Sequence, residues 1–364
     1  MSEQAAWRVV ARGIFLVFGL ILLALLAREL QSVIVQLLLA ILLAAAMTPA
    51  VDRLTRTSRI GRGVAAAAVS LGGALILGLV SIAVTSTAVP DLVRLSTNVP
   101  AYVQRVQSAV EDLAAANPEV AARIAAALPS ASDIGGPVMS VITQTPRLLS
   151  AATTVFGTLV RVLFTLVLAL YLTIDGERIR RYLVQFVPED RHAQTLRVTE
   201  GIGMRLGAWA RGEALLGVII GSMTWLGATA IGLPYAAALA LIAGIGELIP
   251  TLGPIIAAIP LIAVGLLSSP LQGLLALVLA VMVQQLENNL IVPRVMSHAV
   301  ELHPVAVMLA ILAGGELLGI PGALLAVPVV AALSVIVDEF QRERLGLQPA
   351  SESDSESQPA HVAS

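Results

Sequence analysis

Two glutamates at matching places of a repeated pattern are the strongest candidates for chemistry in this sequence. Glu247 and Glu316 each follow an apolar stretch and precede a turn rich in Gly and Pro, and they lie 69 residues apart. A carboxylate at the break of an apolar helix can bind Na⁺ together with free main-chain carbonyl groups, or it can carry a proton. The alternative is that one or both are solvated residues at the tip of a turn.

The residues that flank the two glutamates repeat as well. Pro250, Gly253 and Pro254 follow the first glutamate, and Gly315 and Pro321 surround the second. Where a helix is broken, its first half ends in free carbonyl groups that suit a cation, and its second half begins with free N–H groups that suit a polar or anionic ligand. Interrupted apolar segments in two corresponding repeats indicate a transport site. We therefore assign these five residues to substrate or ion binding.

A third candidate site is a polar run near the end of a later apolar segment. The run Gln284–Asn289 has the sequence QQLENN, and its polar side chains cover an arc of about 200° on a helix. We predict that Gln284, Glu287 and Asn288 line a cavity that binds a polar solute or an ion, and Asn289 is a further candidate. The alternative is hydrogen bonding between helices, which occurs without transport.

The remaining polar residues within apolar segments give weaker predictions. Arg161 either faces a cavity or extends its guanidinium to the membrane surface. His298 and His303 lack the cysteines and clustered acidic residues of a zinc site, so we expect no metal, and we predict that His303 caps a helix beginning at Pro304. No phosphate-binding loop and no Ser/His/Asp set is visible, so we expect neither a cofactor nor an enzyme.

The composition places the chain in a membrane. Of 364 residues, 57% are hydrophobic and 13% are charged, and several apolar runs exceed the length needed to cross a bilayer. The absence of Cys excludes disulfides and thiolate chemistry. We predict an all-α polytopic membrane protein with about six spanning helices, namely Trp7–Ala27, Leu30–Met47, Val64–Val89, Leu148–Ile174, Gly212–Ile231 and Leu271–Val292.

The two broken segments are predicted to be re-entrant hairpins. The arms of the first, Pro234–Gly246 and Pro254–Leu267, have 13 and 14 residues, so each reaches only ~20 Å, against ~30 Å for the hydrocarbon core. The second consists of Pro304–Gly314 and Pro321–Val337, and its latter arm is nearly long enough to cross. A span followed by a hairpin then forms a repeat that is inverted in the membrane.

The chain is expected to have five parts. Residues 1–89 form a scaffold of three helices, and 90–147 form a polar insertion outside the cytoplasm, with short amphipathic helices at Tyr102–Leu113 and Glu119–Leu128. Residues 148–211 comprise the fourth span and an amphipathic segment on the membrane surface, 212–338 form the transport unit, and 339–364 form a disordered tail.

Arginine distribution predicts the orientation. The loop 52–62 contains four Arg and one Asp, and 175–211 contains seven Arg. By the positive-inside rule both are cytoplasmic, as are the two termini. The mixed charges of 175–211 favour lipid over nucleic acid as a partner.

Several motifs together resemble a known family. They are Tyr171-Leu-Thr-Ile-Asp175-Gly-Glu, Arg211-Gly212-Glu, Gly232-Leu-Pro-Tyr235, Ile249-Pro250-Thr-Leu-Gly253-Pro254, Gln284–Asn289 with Pro293, Leu302-His-Pro304 and Gly314–Pro328. This set resembles the autoinducer-2 exporter family of bacterial inner-membrane permeases. The resemblance implies a secondary transporter and a homo-oligomer. Some members are linked to export of autoinducer-2 and others to Na⁺(Li⁺)/H⁺ antiport.

Three classes of function follow from these observations. The leading prediction is a secondary transporter that exports a small polar solute such as a signalling molecule, coupled to H⁺ or Na⁺. A Na⁺(Li⁺)/H⁺ antiporter is one alternative, and a passive channel or a non-transporting membrane scaffold is another. In the transporter, Glu316, Glu287 and Glu247 are predicted to exchange a proton while the hairpin tips bind the solute or cation.

Overall fold

A computed structural model describes residues 28–116, 152–296 and 303–345, with a few residues between 18 and 26. The described part is helical and contains no strand. Its helices are α1 (Gln31–Ser58), α2 (Arg62–Ala116), α3 (Ala152–Val184), α4 (His192–Ile231), α5 (Ala236–Gly246), α6 (Leu252–Ser268), α7 (Pro270–Leu286), α8 (Val292–Val295), α9 (Pro304–Leu318) and α10 (Ile320–Leu345), with a 3₁₀ turn at Glu189–Arg191 and a π-helical turn at Glu287–Ile291.

The helix lengths confirm an all-α polytopic membrane protein. Five helical stretches are long and apolar enough to cross a bilayer, and three shorter apolar helices, α5, α6 and α9, accompany them. The five are Gln31–Ser58, Arg62–Ala83, Glu189–Ile231, Pro270–Val295 and Ile320–Arg342. The first predicted span, Trp7–Ala27, the tail after residue 345 and the predicted helix Glu119–Leu128 lie largely or wholly outside the described residues.

Helix α2 is much longer than predicted. It has 55 residues and continues through Pro90 and Pro100, where we expected the apolar span to end and a separate insertion to begin. Residues Tyr102–Leu113 are therefore helical, but they form part of α2 and not a short helix of their own. At 1.5 Å per residue, α2 is about 80 Å long, which exceeds the full thickness of a bilayer.

Residues 175–211 do not form the separate helices that the sequence had predicted. Residues 175–184 end α3, and 192–211 form the first half of the 40-residue helix α4. The physical reason is packing, because Leu206 and Trp209 in this half are buried inside the protein. Arg205 also donates to the Asp338 carboxylate of α10 at 2.9 Å and to the Ser334 hydroxyl at 2.8 Å.

Each broken segment is a pair of helices, and the two helices approach most closely where one glycine faces another. In the first hairpin, α5 and α6, a Cβ on Gly253 would overlap the main chain of Gly246. In the second, α9 and α10, a Cβ on Gly322 would overlap the main chain of Gly314. These pairs occupy corresponding places, 68 and 69 residues apart. The internal repeat predicted from the sequence thus has a structural counterpart.

The two hairpins differ in length and in how they turn. Helices α5, α6 and α9 have 11, 17 and 15 residues, and each is shorter than a hydrocarbon core of ~30 Å. Helix α10 has 26 residues and is long enough to cross, so the second hairpin has one full-length arm. Five residues, 247–251, connect α5 to α6, whereas Gly319, at φ 65°, alone separates α9 from α10.

Small residues bring the first hairpin close to its neighbours. A Cβ on Gly244 in α5 would lie 2.7 Å from the carbonyl oxygen of Gly217 in α4. A Cβ on Gly265 in α6 would lie 2.8 Å from the Cβ of Ala276 in α7. The hairpin is thus enclosed between α4 and α7. The second hairpin packs through Ile311 against Trp209 of α4, in the same apolar cluster as Ile249 of the first hairpin.

Candidate carboxylate site

Three buried glutamates converge where the first hairpin meets α4 and α7. Glu213, Glu247 and Glu287 expose 3%, 3% and 6% of their surfaces, and they come from α4, the hairpin turn and the π-helical turn. Glu213 lies within electrostatic reach of the other two, which also act on each other. Among the described residues, no arginine or histidine forms an ion pair with any of them. The described part of the chain therefore gathers three acidic groups and places no compensating cation beside them.

Glu247 is positioned by the end of α5. Its main-chain N–H donates to the Ala243 carbonyl oxygen at 3.1 Å, so it occupies the last turn of the helix. Gly246 and Gly253 touch directly behind it, and this contact fixes the turn that carries the side chain. The Oε2 atom of Glu247 is buried and forms no hydrogen bond with any described residue. This oxygen is free to accept a proton or to coordinate a cation.

Glu287 is positioned by a local widening of its helix. It is the first residue of the π-helical turn Glu287–Ile291, and such turns occur frequently at functional sites. The side chain of Gln284 lies beside the Glu287 carboxyl group, and the Oε2 atom of Glu287 is buried without a partner among the described residues. Two of the three glutamates therefore present an unsatisfied oxygen.

Glu213 was not among the residues proposed from the sequence. It entered only as part of the motif Arg211-Gly212-Glu, although it stands at the start of the apolar run 212–231. Ile220 and Thr224, seven and eleven positions later, lie on the same face of α4 and line the cavity described below. The signal that could have identified Glu213 from the sequence is a carboxylate on the same helix face as the small and polar residues of an apolar run.

A small cavity adjoins the glutamates. Its volume is about 40 Å³, enough for roughly three water molecules. The polar groups in its wall are Thr224, Gln284 and Glu287, and Thr224 is itself only 3% exposed. The apolar part of the wall consists of Ile220, Ala243, Pro254, Ala257, Ala258, Leu261, Ala280 and Val283. Such a space fits a partly hydrated ion and is too small for an organic solute in this conformation.

The structure brings together part of the predicted site. Gln284, Glu287 and Pro254 line the cavity, and Glu247 is one of its acidic neighbours. Gly253 is buried at the hairpin turn, which also contains Pro250. Asn288 and Asn289 are exposed on the next turn of the same helix.

The second hairpin does not contribute to this cavity. Glu316 lies inside α9 and is exposed, Gly315 is half-buried beside it, and Pro321 is exposed at the start of α10. Arg161 is exposed on α3. These three residues of the second hairpin thus lie apart from the cavity, because α4 and α7 enclose the first hairpin and not α9. His303 does cap α9, as predicted, and its Nδ1 accepts from the Val305 N–H at 3.3 Å.

A bundle of apolar helices with buried carboxylates at a broken helix is an arrangement found in membrane transport proteins. The sequence matches the AI-2E family transporter model over residues 14–342. The chain belongs to this family, which confirms the resemblance seen in its motifs.

Three relatives illustrate the match. "Putative transport protein YueF" of Bacillus subtilis is 27% identical over 270 residues, which cover 71% of each chain. "Putative transport protein MT0215" of Mycobacterium tuberculosis is 31% identical over 338 residues, or 91% of this chain and 89% of that protein. "Putative transport protein YrrI" of Bacillus subtilis is 33% identical over 177 residues, about half of each chain.

Proposed function

We propose that the protein is a secondary transporter that exchanges a monovalent cation, Na⁺ or Li⁺, for protons at Glu213, Glu247 and Glu287. The observation that carries this proposal is the pair of buried, unpartnered carboxyl oxygens on Glu247 and Glu287. A buried carboxylate with no cation beside it costs several kcal/mol, so each group must hold either a proton or a bound cation. Alternation between these two states is the chemistry of an exchanger.

The size of the cavity favours an ion as the transported species. Ligand pockets for organic molecules have volumes of roughly 300–1,000 Å³, whereas this cavity has about 40 Å³. A monovalent ion that keeps one or two waters fits the available space, and Thr224 and Gln284 supply neutral oxygens beside the glutamates. Oxygen ligands of this kind suit hard cations.

Export of a small polar solute such as autoinducer-2 is the second candidate. The observation that favours it is the row of amide side chains near the cavity, which can donate and accept hydrogen bonds with an uncharged solute. This function requires a second conformation with a larger opening. Proton or Na⁺ exchange at the glutamates would then drive the solute.

The cellular setting is part of the same proposal. We place the protein in the bacterial inner membrane as a homo-oligomer, with the Arg-rich segments and both termini in the cytoplasm. The two hairpins are proposed to enter the membrane from opposite faces. The short arms of α5, α6 and α9 support re-entry, because none of them is long enough to cross.

The test is cation-driven proton movement in proteoliposomes. Vesicles that contain the purified protein and a preset pH difference are given Na⁺, Li⁺ or choline, and the internal pH is followed with a fluorescent dye. Na⁺ or Li⁺ is expected to dissipate the gradient, choline is not, and Glu247→Gln is expected to slow the response at least tenfold. Equal responses to all three cations, or an unchanged Glu247→Gln protein, would contradict the proposal.

A further inference from the structure

Four amide side chains form a row that leads away from the cavity. Gln284 lines the cavity and donates to the Asn288 Oδ1 atom at 3.4 Å. Beside this pair, Asn289 donates to the Gln285 Oε1 atom at 2.9 Å. Gln284 is half-buried and the other three are exposed. We call Gln284, Gln285, Asn288 and Asn289 the amide row.

The amide row lies in a helix that is long and apolar enough to cross the membrane. The stretch Pro270–Val295 contains all four residues, between an apolar first half and the Pro293–Arg294 end. An amide group in hydrocarbon without hydrogen bonds costs several kcal/mol, and polar groups at this depth occur where they are buried in protein or line water. Each side-chain amide offers two donors and two acceptor lone pairs, and the internal pairs satisfy only a fraction of these.

Two observations favour water over lipid or a second protein chain as the neighbour of the row. Gln284 belongs to the row and to the cavity wall, so the two polar regions are continuous. The π-helical turn Glu287–Ile291 lies in the same stretch and places Glu287 in the cavity while Asn288 and Asn289 point outwards. A polar surface that runs without a break from a buried carboxylate to an exposed helix face is the arrangement expected of a water-filled entrance.

We propose that the amide row lines an aqueous entrance through which a partly hydrated monovalent cation passes between the Arg294 end of the helix and the carboxylate site. Neutral amide oxygens replace part of the hydration shell without holding the ion as tightly as a carboxylate does. Gln284 stands at the inner end, hydrogen-bonded to Asn288 and next to Glu287 in the cavity wall, and so determines which ions reach the glutamates. The passage of ions rests on the proposed exchange function, whereas the presence of water in the entrance does not.

Thiol accessibility tests the entrance directly, because the chain contains no Cys and needs no background substitutions. Asn288→Cys and Gln285→Cys are compared with Leu290→Cys, which lies on the same helix and is 41% exposed. Purified proteins in lipid vesicles are treated with a charged, membrane-impermeant methanethiosulfonate. Only a thiol in contact with water ionises and reacts. We expect both amide-row variants to react at least tenfold faster than Leu290→Cys.

The charge of the reagent adds a second readout. Three acidic groups near the entrance are expected to make a cationic reagent react faster with Asn288→Cys than an anionic reagent of equal size, and Glu287→Gln is expected to reduce this preference. Rates for Asn288→Cys and Gln285→Cys as low as that of Leu290→Cys would overturn the entrance, whether lipid or a second copy of the chain covers the row. Fast labelling in a protein that fails to exchange Na⁺ for protons would support the entrance and refute only the proposed function.

Discussion

Gly246 and Gly253 face each other across the turn of the first hairpin, and neither has room for a side chain. A Cβ on Gly246 would lie 3.0 Å from the carbonyl oxygen of Gly253, and a Cβ on Gly253 would overlap the main chain of Gly246. We expect Gly253→Ala to separate α5 from α6 and to lower the stability of the protein by about 1–3 kcal/mol. Thermal unfolding in detergent measures the change as a lower melting temperature.

Gly203→Ala is the matched control for that substitution. Gly203 lies within α4, and a Cβ there has no neighbour within 4 Å. The substitution also replaces a poor helix former with a good one, so the melting temperature should stay the same or rise slightly. A Gly253→Ala protein as stable as Gly203→Ala would show that the close glycine contact does not hold the hairpin together.

The corresponding glutamates of the two hairpins should behave differently. Glu287→Gln removes a buried carboxylate that lines the cavity, and we expect Na⁺-driven proton movement to fall at least tenfold. Glu316→Gln changes an exposed side chain outside the cavity, and exchange should stay within about twofold of the unmodified protein. The assay uses proteoliposomes with equal amounts of each protein. Equal losses in both variants would place Glu316 in the transport machinery after all.

Protons and Na⁺ should compete for the same site. As pH falls, protons occupy the carboxyl groups, so the Na⁺ concentration that gives half-maximal exchange should rise. The rise is about tenfold per pH unit for each proton that one Na⁺ displaces. In Glu213→Gln one protonatable group is missing, and the dependence on pH should be less steep. A half-maximal Na⁺ concentration that is constant over the whole pH range in which the protein exchanges ions would contradict competition.

Two ion pairs connect α4 to α10. The guanidinium of Arg197 donates twice to Glu339 Oε1, at 2.8 and 3.1 Å, and Arg205 donates to Asp338 at 2.9 Å. All four groups are partly exposed, so each pair is worth at most about 1 kcal/mol. We expect Arg205→Ala to lower the melting temperature by a few degrees, and more at low salt than at high salt.

Arg178→Ala provides the control for the ion pairs. Arg178 is 82% exposed and lies 3.5 Å from Asp175 on the same helix, so it connects no separate elements. Its replacement should leave the melting temperature unchanged within error. A larger effect for Arg178→Ala than for Arg205→Ala would show that the contact between α4 and α10 contributes little to stability.

The sequence predicted the two broken helix pairs at matching positions but could not distinguish their carboxylates. Glu247 and Glu316 occupy matching positions, and local sequence gives both the same environment. In the structure Glu247 is 3% exposed and Glu316 is exposed. The difference arises from tertiary packing, because α4 and α7 enclose the first turn, and no rule about spacing or periodicity contains that information.

Helix boundaries and Glu213 show two other limits of sequence-based prediction. The apolar span was predicted to end at Val89, yet α2 continues through Pro90 and Pro100. A proline inside a helix removes one hydrogen bond, and neighbouring contacts can compensate for that loss. Glu213 was overlooked because it follows Arg211 closely, as at the polar end of a span. Its burial depends on α5 and the π-helical turn, which lie more than 20 residues away in sequence.

The close contacts around the first hairpin join four helices into one packed group. Gly244 touches Gly217, and Gly265 meets Ala276, so no space remains between α5 or α6 and their neighbours α4 and α7. Helix α9 packs mainly on α10, and the single residue Gly319 joins the two. Ile311 of α9 and two ion pairs of α10 attach the second hairpin to α4. A displacement of the second hairpin relative to the first therefore has to break or rearrange these contacts with α4.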